Sequence, residues 1–243
     1  MTLNLKVFVV FHEKIYPEIY EVSDERTKYL TFYGVKNEHE NKTPMDIVYE
    51  KDLPLYEPIW QNLHYNEASA LYHIYKNRIH CHHEFIGFFQ YDMKVLSNCF
   101  SEIEEGFKTN KRTIFYYQFF PWAFLGGQTI ITTDYSCLKA GLRNYNIFFN
   151  TNFTEEQLIA FKMPIGNTFV VRNSMFDKMM YWMSQYYINS VETKMECTNG
   201  HLFNPGHIIE ALTSMFLWLE VVQGAEYKQL SIYSDPDYKL TPL

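Results

Sequence analysis

Lys6 to Phe11 reads Lys-Val-Phe-Val-Val-Phe, an apolar and β-branched run with no polar alternation. Such a run predicts a strand buried on both faces, as in a central parallel sheet. His12 follows at its carboxyl end. Phe85 to Phe89 repeats the pattern, interrupted only by Gly87, then turns polar at Gln90 and reaches an acidic residue at Asp92. Tyr29 to Val35 and Asn167 to Arg172 are further β-branched and aromatic runs. Shorter strand patterns occur at Arg112 to Phe119, at Thr129 to Thr133 ending in Asp134, and at Leu230 to Tyr233.

The helical period appears between these runs. Asn66 to Asn77 places Ala68, Leu71, Tyr72 and Tyr75 on one face, with Asn66 as N-cap and Glu67 in the first turn. Val95 to Lys108 carries Glu102, Glu104 and Glu105 as a solvated acidic face. Thr154-Glu-Glu-Gln157 is a capping box that starts a short helix. A long helix opens at Ser174 and runs to about Val191, and a last one spans Gly206 to Val221. Lys36 to Thr43, Asp52 to Pro58 and Glu192 to Phe203 read as irregular, and Pro121 to Gly127 as a glycine-ended loop. The order of elements predicts an α/β fold with a mostly parallel central sheet flanked by helices. With no repeat and no linker, residues 1–243 are expected to form one domain, and the abrupt ending Lys-Leu-Thr-Pro-Leu is compatible with excision from a longer chain.

Composition narrows the function. The formal charge of −7 argues against nonspecific nucleic-acid binding, which needs a basic surface to displace counterions. The start lacks a signal-peptide pattern, and no apolar run is long enough to cross a bilayer. Cys81, Cys99, Cys137 and Cys197 include no Cys-x-x-Cys pair, so free thiols in a cytoplasmic protein are expected. Aromatic residues are 18% of the chain, more than a core alone requires, so Tyr91 and Trp122 are candidates for stacking on a sugar or base as well as for packing.

Chemistry concentrates at strand ends. No Gly-x-Gly-x-x-Gly follows Phe11, and no P-loop is present. Ligands of open α/β sheets bind outside the carboxyl ends of strands. Asp92 is therefore either a carboxylate that holds a divalent cation and, through it, a diphosphate, or a surface residue that ends a core strand. Lys76 and Arg78 either complement a helix C-terminus or contact phosphate. His80-Cys81-His82-His83 invites a zinc reading, but no second ligand cluster at a recognised spacing accompanies it.

Three stretches together resemble a known family: Leu5 to His12, Tyr65 to Asn77 and Phe85 to Asp92. They are similar to the glycosyltransferase-like domain family of bacterial capsule and lipopolysaccharide gene clusters, seen also in large DNA viruses. The resemblance covers residues 5 to 95, with a fainter echo in Asn167 to Trp182 and Pro205 to Trp218. It implies a GT-A-type fold, with a nucleotide-sugar-binding half to about residue 95 and an acceptor-side half beyond. It implies transfer of a hexosyl or pentosyl group from a UDP- or GDP-linked donor to a glycan or glycoprotein, in the cytoplasm, or in the host cytoplasm if the source is viral. Where bacterial members carry His-Tyr-Arg-Arg, this chain has Gln90-Tyr91-Asp92-Met93, a degenerate Asp-x-Asp. Asp92 is then the expected ligand of Mn²⁺ or Mg²⁺. His12, Glu67, Tyr72, Lys76, Arg78, Gln90, Tyr91, His201 and His207 are the expected donor contacts, and Glu210, with Asp134 second, the expected base. A domain of the same fold that has lost catalysis and only binds a glycan or a partner is the alternative.

Overall fold

The computed structural model describes residues 3–12, 15, 24–35, 46–62, 67–117, 119–121, 130–159, 162–164, 167–197 and 205–234. Its centre is β1 (Leu5–Phe11), in which Val7, Val9 and Phe11 turn to one side and Phe8 and Val10 to the other, all buried. Neither face meets water, so no polar alternation is needed. β2 (Leu30–Gly34) and β3 (Ile47–Tyr49) add in parallel on one flank, and β4 (Phe85–Gln90) in parallel on the other. β5 (Met93–Val95) follows β4 and leaves the main sheet.

Beyond β4 the sheet continues with β9 (Phe169–Arg172), β6 (Ile114–Tyr116) and β10 (Tyr227–Gln229), giving the order β3-β2-β1-β4-β9-β6-β10. Only β9 runs against its neighbours. The sheet is thus mostly parallel, as the apolar runs imply. Three of its strands come from beyond residue 95, so the two expected halves share one sheet. Small antiparallel pairs join β5 to β11 (Ile232–Ser234), and β7 (Phe119–Pro121) to β8 (Lys162–Pro164).

Helices cover both faces. Short helices α1 (Asp24–Thr27) and α2 (Ile59–Asn62) lie in the connections. One face carries α3 (Ala68–Lys76), whose first seven residues are all buried. The opposite face carries α4 (Cys99–Thr109), which inserts Phe100, Ile103 and Phe107 against Val7, Val9 and Phe85. α5 (Ile130–Phe149), α7 (Asn173–Cys197) and α8 (Pro205–Val222) pack on the α3 side, where Leu142, Tyr145, Trp182 and Phe216 share one core. α6 (Glu155–Ile159) starts at the expected capping box, the Thr154 N–H donating to the Gln157 side chain at 2.8 Å.

Two expectations give way. Thr129 to Thr133 reads as a strand, yet Ile130–Phe149 is a helix. The β-branched start is overruled further along, where Leu138, Leu142 and Tyr145 recur at helical spacing and are buried. A Cβ on Gly141 would come within 2.5 Å of Leu212, so α5 and α8 are in close contact there. The polar stretch from Glu192 also does not end the long helix, which continues to Cys197.

Gly87 lies where β4 is hemmed in by both neighbours. A Cβ there would meet Val170 at 2.8 Å, Val7 at 3.1 Å and the Phe169 carbonyl oxygen at 3.2 Å. Gly87→Ala is expected to destabilise the fold by about 1–3 kcal/mol through overpacking, read as a lower urea midpoint at unchanged slope.

Candidate functional site

The chain reverses its direction of sheet growth between β1 and β4. It builds β1, β2 and β3 outward, then returns to lay β4 on the far side of β1. Chains leaving adjacent strands to opposite sides open a crevice at their carboxyl ends. The register fixes which residues border it. Val10 pairs with Gln90, while Phe11 pairs with Gly34 and Gly34 with Tyr49. One residue further along each strand come His12, Val35 and Glu50, with Tyr91 and Asp92 in the turn after β4.

His12 continues the side-to-side alternation of Phe8 and Val10 and so turns toward α3. Its Nδ1 lies 3.8 Å from Oε1 of Glu67, an ion-pair distance at the entrance of α3. Its ring meets Tyr91 edge to face, with centroids 4.8 Å apart. The Tyr91 N–H donates to the Val10 carbonyl at 3.1 Å, tying the turn to β1. Gln90, Tyr91 and Asp92 are half-buried, as are His12 and Glu67. These five residues stand at one edge. α8 approaches α3: Ile209 lines one small apolar cavity with Ala68 and Tyr72, and Glu210, next along α8, is half-buried.

Three expected donor contacts lie elsewhere. Tyr72 is buried in the middle of α3, stacked on Trp60 with centroids 3.9 Å apart. Burial, with the neighbouring Glu57 carboxylate, pushes its phenol well above the usual range. Lys76 sits at the far end of α3 and pairs with Glu57. A nine-residue helix advances its chain by about 13 Å, so that end is remote from His12. Arg78 follows it, with φ of 56°, and leads into the 3₁₀ turn Ile79–His82 that feeds the start of β4. Tyr72 thus packs within α3, and Lys76 and Arg78 stand at its carboxyl end, away from His12. Asp134 lies on α5 rather than at a strand end. The side chains of Asp134 and His207 lie outside the described residues, as do His201, Trp122 and the Gly126-Gly127 loop.

Of the histidine run, His80 serves the packing, while Cys81 and His82 are exposed. His80 is fully buried and bonds Asp177 at 3.1 Å and the Ile74 carbonyl at 3.3 Å. Among the described residues no group of three His, Cys, Asp or Glu side chains could hold a metal ion. Nor is any described helix long and apolar enough to cross a membrane.

Sequence reading missed Glu50, which is 1% exposed, and its partners Ser69 and His73, both fully buried. Oε1 of Glu50 accepts from the Ser69 hydroxyl at 2.5 Å and from His73 Nδ1 at 2.9 Å. The Ser69 and His73 spacing is visible as an i, i+4 polar pair on an otherwise apolar helix.

Across known structures, the chain matches one described as the apo structure of the WbbM bifunctional glycosyltransferase, with a TM-score of 0.60 and 14% identity. The match covers 94% of this chain and 45% of that one, so the chain spans less than half of its neighbour's length. No protein-family model and no curated protein matches the sequence. At this identity the likeness shows a shared fold alone; in this chain that fold is a seven-stranded, mostly parallel sheet between helical layers.

The Glu57 carboxyl is partly desolvated, which raises its pKa, but bonds from Lys76, Trp60 and Tyr72 outweigh this and hold it below its ordinary 4.5. A lowered carboxylate pKa stabilises the fold above the unfolded value and ceases to do so as pH falls through the folded one. Glu57→Gln is therefore expected to lower stability near neutral pH. Its deficit relative to wild type should shrink below about pH 4.5, followed by urea unfolding across pH.

Proposed function

We propose that the chain is a glycosyltransferase that moves a hexosyl or pentosyl group from a UDP- or GDP-linked donor to a hydroxyl of a glycan or glycoprotein. One observation carries the reading: His12, Glu67 and Tyr91 meet at the carboxyl edge where β1 and β4 part, with Gln90 and Asp92 on either side of Tyr91 in the chain. The fold shared with a glycosyltransferase supports it.

The donor set suits a hard divalent cation that keeps most of its ligands from water and phosphate. Asp92 would supply the carboxylate and Gln90 an amide oxygen, because such ions accept one or two protein oxygens beside a diphosphate. Mn²⁺ or Mg²⁺, when bound there, neutralises charge that develops on the departing diphosphate. His12 and Tyr91 line the donor side of the crevice, with Glu67 orienting the imidazole. Glu210, on α8, takes the acceptor proton as its oxygen bonds to the anomeric carbon and the bond to the diphosphate breaks. Asp134 is the second candidate for that base. Lys76 and Arg78 are not assigned to the leaving group, since they stand at the other edge.

The motif's lone carboxylate, with Gln90 at its first position, favours one alternative: a domain that binds glycan or a partner without catalysis. Thermal stabilisation by UDP, GDP and UDP-sugars with Mn²⁺ separates the two, because a ligand that binds only the folded state raises its melting temperature. No rise with any of them would favour the alternative.

Asp92→Ala is expected to keep the fold by circular dichroism and to abolish Mn²⁺-dependent UDP binding in calorimetry. Unchanged affinity would remove Asp92 from the site. Glu210→Gln is expected to leave donor binding intact and to slow transfer at least about a hundredfold. Near-normal turnover would exclude Glu210 as the base.

A further inference from the structure

The carboxyl edge holds a second polar group that the proposed chemistry does not use. Glu50 emerges from β3 in the same register row as His12 from β1, but its side chain is sealed from solvent. Both of its donors, Ser69 and His73, lie on α3 one turn apart. The strap from Leu53 to Trp60 continues the hold. The Glu57 N–H donates to His73 Nε2 at 2.9 Å, and the Leu55 N–H donates to the Asn77 side chain at 3.0 Å.

We propose that Glu50 is a positioning residue: through Ser69 and His73 it sets the height and rotation of α3, and thereby where Glu67 meets His12. Three observations lead there. A nine-residue helix is too short to hold itself, and tertiary contacts must fix it. The apolar contacts of Ala68, Ala70 and Leu71 are non-directional and tolerate small rotations. The hydrogen bonds to a buried carboxylate are directional and charge-assisted, so they select one placement. Ser69 is two residues from Glu67, and a slip at one carries the other with it.

His73 accepts a backbone N–H at Nε2, which leaves its Nδ1 proton for Glu50. Burial raises the phenols of both Tyr33 and Tyr56, and the nearby Glu50 carboxylate adds to the shift.

The functional part of this inference rests on the nucleotide-sugar reading; the placement of Glu67 does not. The test uses Ser69→Ala, Glu50→Gln and Glu67→Gln, with Phe107→Leu as a control that loosens the opposite face of the sheet, where Phe107 stacks on Phe85. Each variant is followed by the imidazole NMR signal of His12, by melting temperature and by UDP affinity with Mn²⁺. Ser69→Ala and Glu50→Gln are expected to move the His12 signal toward its position in Glu67→Gln and to weaken UDP binding about tenfold. Phe107→Leu, even at an equal loss of melting temperature, is expected to leave the His12 signal in place. An unmoved His12 signal in both Ser69→Ala and Glu50→Gln would overturn the proposal. Moved signals in a protein that binds no UDP would retain the positioning role and overturn the nucleotide-sugar reading instead.

Discussion

Burial of β1 on both faces is the constraint from which the other features follow. A strand with no solvent face needs a helical layer on each side and strand neighbours on both edges. Adding strands to both edges requires the chain to double back. The double-back parts the chains after Phe11 and Gln90 and leaves the crevice bordered by His12 and Asp92. The candidate chemistry thus sits where sheet growth changes direction, and its neighbours are set by strand register. A register slip of one residue would turn His12 away from Glu67 and expose the packed set.

Much of the framework was legible in the sequence because its signals are local. The runs at Lys6 to Phe11 and Phe85 to Phe89 carry their own burial pattern, and the capping box at Thr154 carries its own hydrogen bond. What the sequence hid depends on partners far along the chain. Ile130 to Thr133 has strand composition, and the signals for a helix lie further along it, where Leu138, Leu142 and Tyr145 are buried at helical spacing and Gly141 lies against Leu212 and Met215. Lys76 looked available for phosphate because Glu57, its partner, lies 19 residues earlier in a stretch with no regular pattern.

The same distance effect explains the site. The position of His12, Gln90, Tyr91 and Asp92 at strand ends was legible because strand ends are recognisable in an apolar pattern. Glu50 was not, since nothing near it announces a strand end and its bonds to Ser69 and His73 exist only in the folded chain. Buried carboxylates at sheet edges are best sought by asking which polar pair on a neighbouring helix needs an acceptor.

The reversed strand β9 has an architectural result. Because it runs against the others, it delivers the chain to the amino edge, where the Asn173 N–H bonds the Glu84 carbonyl just before β4 begins. α7 starts there and travels back along the sheet, reaching the α3 entrance by Met180 and Met183. At about 1.5 Å per residue its 25 residues outreach a seven-residue strand of about 23 Å. Its last turns therefore extend past the length of the central strand, so the sheet alone does not set where this helix stops.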